Sequence, residues 1–560
     1  MTMKKSALVL NVCAVLGLLV SVASAQATQR QEVAATHLGI AGNPVIDNAP
    51  TTNNSGGSAG WDWSKNEMDF EAADIDRDGD LDVLIGIKGI FTRSWARPNI
   101  ILINNGSGVF TDMTSTFSDW NTRMNNTRDV EAADVDNDAW LDAIVYNSEG
   151  EPTEIFLNLG NDINGNWQGF GLTPVTTLPG TSDSVCEGRT LDFDLDGNLD
   201  IVRANYKTGA PDDLYRQSSP LAFTSATNLL PSAFWGSSFG STVQTQDFFD
   251  GGILDLNKDG NVDILMIGSS EVKAAYTDGL GGFLTGIDGM SQSATYAGIA
   301  VDFDRDGRAD IYRTNDGTDF WRRNTGTSAS GGIIETTSDT TSYANRVGGN
   351  THVCDFNNDG LPDIFINHVD VDLPGFLSDQ TLKLFINTGN PAQMFTTDNV
   401  NNYPINTTDS VTADFNGDGV EDMITAGIST AANPQDARIY YYISESFRST
   451  FVEDVPDHLE FRVREIPLGS TSSRTLFNLF SVNQGIAVGS GSFIGLGNDV
   501  LPQFSLGYPY NVDLSNAATN FFVPVQLPPN TMATIHTRSI VVDFSTGEFS
   551  MTPIIELILN

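Results

Sequence analysis

The sequence predicts an all-β chain, a seven-bladed β-propeller with a C-terminal β-sandwich-like domain. Three observations predict it. A nine-residue acidic motif recurs seven times at near-regular spacing. Each copy is bracketed by short Val- and Ile-rich runs closed by Gly or Asn, which read as buried strands rather than helices. Residues 456–560 keep strand-like runs but lose the motif.

In chain order, residues 1–25 read as an export signal. Lys4 and Lys5 give a positive start, residues 7–20 an apolar run, and Ala23, Ser24 and Ala25 a small-residue cleavage site before Gln26. That run is too short to favour a spanning helix, and no other uninterrupted apolar stretch of about 18 residues occurs. The mature chain is therefore expected to be secreted or at the cell surface, with no membrane insertion once the signal is removed. Residues 26–55 form an N-terminal segment. Within it, residues 32–41 look like the fourth-strand segment at 110–114, and are expected to join the last blade and lock the ring.

Residues 56–455 hold the repeats. The pattern D-x-[DN]-x-D-[GA]-x-x-D starts at Asp74, Asp134, Asp192, Asp255, Asp302, Asp355 and Asp414. Successive starts lie 60, 58, 63, 47, 53 and 59 residues apart. A short small or apolar run precedes each copy, and an apolar run such as 81–85 or 362–366 follows it. About 20 to 30 residues after most motifs comes a third run, then a polar turn and an aromatic, as at 101–110 and 383–395. A fourth short strand follows, so the aspartate loop joins strands one and two of a four-stranded unit. A linear stack of such units would need atypical capping repeats, whereas a ring needs only closure. Beyond residue 456, runs at 459–464, 521–525 and 540–544 alternate with Gly-rich turns such as 485–497, which suits a separate β-sandwich.

The formal net charge is −42, and loss of Lys4 and Lys5 makes it −44. Phosphate backbones and anionic membranes would repel such a chain, so nucleic acid is excluded as a partner. Disorder is excluded too, because 40% of residues are hydrophobic and 32 are Phe. Cys13 leaves with the signal. Cys186 and Cys354 fall in blades that are not adjacent and are expected as buried thiols, although export permits a disulfide.

The acidity has a chemical explanation in the loops. A hard divalent cation takes six to eight oxygens at about 2.3–2.6 Å. Positions one, three, five and nine of each copy supply them. These are Asp74, Asp76, Asp78 and Asp82; Asp134, Asp136, Asp138 and Asp142; Asp192, Asp194, Asp196 and Asp200; and Asp255, Asn257, Asp259 and Asp263. The remaining copies supply Asp302, Asp304, Asp306 and Asp310; Asp355, Asn357, Asp359 and Asp363; and Asp414, Asn416, Asp418 and Asp422. No copy offers nitrogen or sulfur ligands, which disfavours zinc and copper, and no water-retaining octahedral design favours magnesium. Up to seven Ca²⁺ ions are expected. They would cut the charge from −44 to −30, and folding should depend on them. Glycine at position six permits the sharp turn. Ala139 breaks that rule in copy two, which puts metal in that loop in doubt.

These motifs resemble the FG-GAP/VCBS repeat of the integrin α-subunit propeller and of many bacterial secreted proteins, over about residues 60 to 450. Copy seven departs downstream, with Tyr440, Tyr441, Tyr442 and Ile443 and no Asn-Gly turn. The resemblance implies a calcium-binding extracellular binding or adhesion module for a protein or glycan. Catalysis finds no support. The five histidines are scattered, and Gly56 to Gly60 matches a nucleophile elbow only in a linker. A propeller-borne polysaccharide lyase or hydrolase is the alternative. For the ligand, the loops opposite the aspartate turns hold Arg93, Trp95, Arg97, Trp120, Tyr206, Trp235 and Arg313, with Tyr312 beside the last.

Overall fold

The computed structural model describes most of residues 66–444, strand residues 30–32, and the backbone of the strands between 448 and 559. Outside the description lie residues 1–29 and 33–65 and several connecting stretches, chiefly 90–97, 117–124, 206–211, 232–239, 336–342, 345–349, 357–359, 368–381, 399–406, 418–420 and 428–438. Among the described residues the chain is all-β, with two short 3₁₀ turns at Thr114–Thr116 and Thr227–Leu229. No helix among them is long and apolar enough to cross a membrane.

Seven four-stranded antiparallel sheets run through residues 66–444. Their first strands are Asn66–Ala73, Thr127–Ala133, Val185–Leu191, Gly240–Gln244, Thr295–Val301, Thr351–Cys354 and Thr407–Ala413. Their second strands are Asp82–Gly89, Asp142–Asn147, Asp200–Asn205, Asp263–Gly268, Asp310–Asn315, Asp363–Ile366 and Asp422–Gly427. Every second strand therefore opens on the ninth residue of a motif, and every aspartate loop joins strand one to strand two. Register follows from that hinge. In sheet one Ala73 faces Asp82 and each earlier residue faces the next later one, out to Asn66 opposite Gly89.

Strand-like runs here are apolar without alternation because both faces of each sheet are covered. The core is a set of seven layers, each between consecutive sheets. Leu84 and Ile101 of sheet one meet Val145 and Phe156 of sheet two. Ile144 and Tyr146 point the other way, onto Ile201 and Tyr215 of sheet three. Alternate residues of a strand thus serve alternate neighbours, as the two-residue pleat requires. The pattern continues through Val202 with Ile264, Leu265 with Ile311, Tyr312 with Ile364, and Phe365 with Met423. The last layer joins the ends: Val83, Ile85 and Phe110 of sheet one pack on Phe415, Ile424 and Tyr441 of sheet seven. Phe110, Phe415 and Tyr441 meet edge to face with ring centroids 5.4–6.0 Å apart.

First strands also lie side by side in chain order, and that of the seventh sheet lies beside that of the first. Side chains stitch them together. Asp69 accepts the Val130 N–H at 2.9 Å, and Asp129 accepts the Gly188 N–H at 2.7 Å. Asp409 of sheet seven accepts the Phe70 N–H of sheet one at 3.1 Å. The fourth place in sheet seven is filled from the N-terminus: Arg30–Glu32 pairs antiparallel with Ile439–Ser444, Arg30 opposite Ser444 and Glu32 opposite Tyr442. That strand begins two residues before the stretch expected to supply it, and residues 33–41 lie outside the described residues.

Cys186 and Cys354 are buried thiols in the first strands of sheets three and six. After sheet seven, Arg448–Val455 pairs with His458–Arg464, which pairs with Phe521–Val525. A boundary at 456 therefore falls inside a hairpin, and the C-terminal strands begin at Arg448. A second sheet is built around Ala533–Asp543, with Arg474–Ser481, Phe549–Met551 and Ile555–Leu559 against it and Asn511–Leu514 at its edge.

Candidate metal centres in the aspartate loops

In loops two to six the first aspartate accepts backbone N–H groups of its own loop. In loop two Asp134 accepts the N–H groups of Asp138 and Ala139 at 3.0 and 2.9 Å, while Asp138 accepts that of Trp140 at 2.9 Å. Loops three, four and five repeat these bonds from Asp192, Asp255 and Asp302. Two positions take the left-handed conformation. Position six does so in Gly79, Gly197, Gly260, Gly307 and Gly360, and in Ala139 at φ 73°. Position four does so as well, in Arg77, Asn137, Leu195, Lys258 and Arg305, at φ between 56° and 63°, which the sequence reading missed. Copy seven has Gly417 there, at φ 69°.

This winding turns the odd-numbered side chains inward. Asp74, Asp76 and Asp78 converge, as do Asp134, Asp136 and Asp142, Asp192, Asp194 and Asp200, and Asp302, Asp304 and Asp306. In each triad one carboxylate oxygen per residue lies within 4.8 Å of the others. In loop four the Asn257 amide donates to Asp259 at 3.0 Å, and Asp255 and Asn257 both accept the Asp259 N–H at 3.0 Å. Asn357, Asp359 and Asp418 lie outside the described residues.

Charge and burial conflict in these triads. The Asp194 and Asp304 side chains are 3% and 1% exposed, and Oδ1 of Asp74, Asp194 and Asp304 is buried with no hydrogen-bond donor. Burial, then the neighbouring carboxylates, raises the pKa of Asp76, Asp136 and Asp304 above the usual range. Undonated buried oxygens around one point fit a hard cation held by carboxylates, so several of these clusters can bind metal ions.

The ninth aspartate does a second job. Asp82 accepts the Ile75 N–H at 3.0 Å on one oxygen and the Asn104 N–H at 2.8 Å on the other. Asp142, Asp200, Asp263 and Asp363 make the same two bonds, to Val135 and Asn158, Phe193 and Gln217, Leu256 and Thr277, and Phe356 and Asn387. Burial pushes the Asp82, Asp263 and Asp310 carboxyls up to about 8, and those of Asp142 and Asp200 to about 7.

The amide at the end of strand three was also missed as a site residue. The Asn158 side chain donates to the Leu141 carbonyl of its own loop at 3.0 Å and to the Ile75 carbonyl of the preceding loop at 2.8 Å. Asn104, Gln217, Asn324 and Asn387 do likewise, and Asn104 reaches Phe415 of loop seven. An Asn-x-Gly signature at 104–106, 158–160, 324–326 and 387–389 was the available signal. Position four links loops as well: Arg77 stacks over Trp140, Asn137 bonds Asn198, and Arg305 bonds the Gly360 carbonyl.

The expected ligand face fares differently. Arg93, Trp95, Arg97, Trp120, Tyr206 and Trp235 lie outside the described residues. Arg313 is a correction. It sits in strand Asp310–Asn315 with no exposed surface, and Tyr312 beside it is equally buried, because that strand is covered on both faces.

A family model described as FG-GAP-like repeat matches residues 255–313, 302–366 and 355–425, each match opening on the first aspartate of a loop. No curated protein matches the sequence. Among solved structures, one titled for recognition of non-reducing terminal N-acetylglucosamine by an Agrocybe aegerita lectin is 17% identical. The match covers 65% of this chain and 86% of that one, with a TM-score of 0.37. A Lactobacillus plantarum protein is 10% identical, over 72% of this chain and 92% of its own, with a TM-score of 0.35. The V. cholerae biofilm matrix protein Bap1 is 11% identical, over 88% of this chain and 66% of its own, with a TM-score of 0.20. With three family matches laid directly over loops four to seven, and the same loop wound in the sheets before them, the chain carries FG-GAP-like repeats.

Proposed function

We propose that this chain is a secreted, calcium-stabilised, seven-bladed β-propeller that binds an extracellular protein or glycan, with the strands from Arg448 onward forming a separate β-sandwich-like domain. The observation that carries the calcium reading is the convergence of three aspartates in each of four loops, three of which hold buried carboxylate oxygens that lack donors. Ligands would come from positions one, three, five and nine of each loop. Bound calcium would supply the positive charge these carboxylates lack, with affinity of about 10⁻⁴ to 10⁻³ M, typical of extracellular modules. The cyclic order of inter-sheet layers, from sheet one round to sheet seven and back, supports the seven-bladed ring. For the ligand, the reading assigns the loops holding Arg93, Trp95, Arg97, Trp120, Tyr206 and Trp235, since a rigid scaffold leaves its long loops for recognition.

Metal content per chain, read together with thermal unfolding in calcium and in chelator, tests the first part. Several calcium ions per chain and a chelator-induced fall in melting temperature of 10 °C or more are expected on the order of the linkage energies of bound ligands. No bound calcium and an unchanged transition would end the reading. Glycan and matrix-protein binding by wild type and by the Arg93→Ala, Trp95→Ala, Arg97→Ala triple variant tests the second.

A further inference from the structure

The loops are not equivalent. In sheets three and five the residue just before the strand-three amide is an arginine, Arg216 before Gln217 and Arg323 before Asn324. Hydrogen bonds from that amide position to the ninth aspartate fix the equivalence: Gln217 N–H to Asp200, and Asn324 N–H to Asp310, both at 2.7 Å. Where the same bond is made in sheets one, two, four and six, the preceding residue is Ile103, Leu157, Tyr276 or Ile386. Among these six sheets a cation at this position is therefore confined to sheets three and five.

Both guanidinium groups turn into their loops. Arg216 pairs with Asp194 and lies 3.9 Å from Asp196. Arg323 pairs with Asp304 through Nε and with Asp306 at 2.9 Å. The carboxylates engaged are those of positions three and five, the same ones that converge with position one. Among the described residues, loops one, two and four show no basic side chain against their aspartates. Asp194 and Asp304 still keep one buried oxygen without a donor, so the arginine satisfies each loop only in part.

We propose that Arg216 and Arg323 are built-in counter-ions that compete with the divalent cation for loops three and five. The inference rests on the metal reading of the loops. The two loops keep their shape without metal and take calcium only when the arginine swings aside, so their affinity is at least tenfold weaker than that of loops one and two. Arginine suits the role because its charge is permanent and its fork spans two carboxylates.

Calcium titration of the full mature chain by calorimetry, with Arg216→Gln, Arg323→Gln and Arg216→Lys variants, tests it. Wild type should show a tighter and a weaker class of sites. Each Gln variant should move one ion from the weaker class to the tighter, and Arg216→Lys should leave it in the weaker class. Thermal unfolding in chelator is the second readout: each Gln variant should melt below wild type without calcium and match or exceed it with calcium. A single class of sites in wild type, or Gln variants with unchanged class sizes, would overturn the proposal while leaving metal binding intact. Absence of any calcium uptake by any form would instead remove the metal reading on which it stands.

Discussion

Ala139 is the one non-glycine at position six among the described loops, and it holds φ at 73° with its loop otherwise wound like the rest. A Cβ in that region costs about 1 kcal/mol relative to glycine. Ala139→Gly should therefore raise stability by about 0.5–1 kcal/mol, read as a higher urea midpoint in calcium; a lower midpoint would mean the loop does not need that conformation. Sequence made this position legible, since the six other copies show glycine there. It did not reveal position four, where Arg77, Asn137, Leu195, Lys258 and Arg305 have no residue type common to all, because a backbone angle that unlike side chains adopt leaves no trace in composition. Nor did sequence place Arg313, whose buried site depends on the sheet that covers it.

At the scale of elements, the acidic loop and the strand after it are a single device. The ninth aspartate opens each second strand and clamps both its own loop and the end of strand three. Its recurrence was plain in the sequence as a set of candidate metal ligands, whereas its bonds to the end of strand three were not, because those donors lie 14 to 24 residues downstream. Sheet-to-sheet packing is equally local. Phe415 has no exposed surface and meets Phe110 and Tyr441 across the layer between sheets seven and one. Phe415→Ala should cost about 3–5 kcal/mol. Its unfolding free energy in saturating calcium checks this, and a loss below about 1 kcal/mol would mean that layer is not a packed core.

For the whole molecule, the first strands gather Glu71, Asp129, Glu131 and Glu187 around a single guanidinium, Arg189, which pairs with Asp129 and Glu187 at 2.8 Å. One arginine cannot offset so many carboxylates. Burial pushes both Glu71 and Glu187 up to about 8 from an ordinary 4.5, with Arg189 opposing. The folded state then holds protons that the unfolded chain releases above 4.5, so these groups favour folding less as pH rises from about 4.5 to 8. At fixed saturating calcium, stability should fall across that window, and Glu71→Gln should flatten the fall by about 1–2 kcal/mol. Urea midpoints between pH 5 and 8 decide it; an unaltered slope in the variant would remove Glu71 from the account. Charge totals showed an acidic chain from the outset, but only the placing of first strands side by side separates this inner cluster from the loops.

Pairing of Arg30–Glu32 with Ile439–Ser444 has a consequence for how the molecule is made. The partner strand is the last of the seven sheets to be synthesised, so until it emerges sheet seven has no companion for its outer edge and sheet one has no neighbour on one flank. An incomplete chain therefore presents two sticky surfaces at once, an unpaired strand edge and a bare apolar face, and the natural filler for both is a second incomplete copy. Chains cut short before Ile439 should aggregate as they fold, while full-length ones pair that edge with their own Arg30–Glu32.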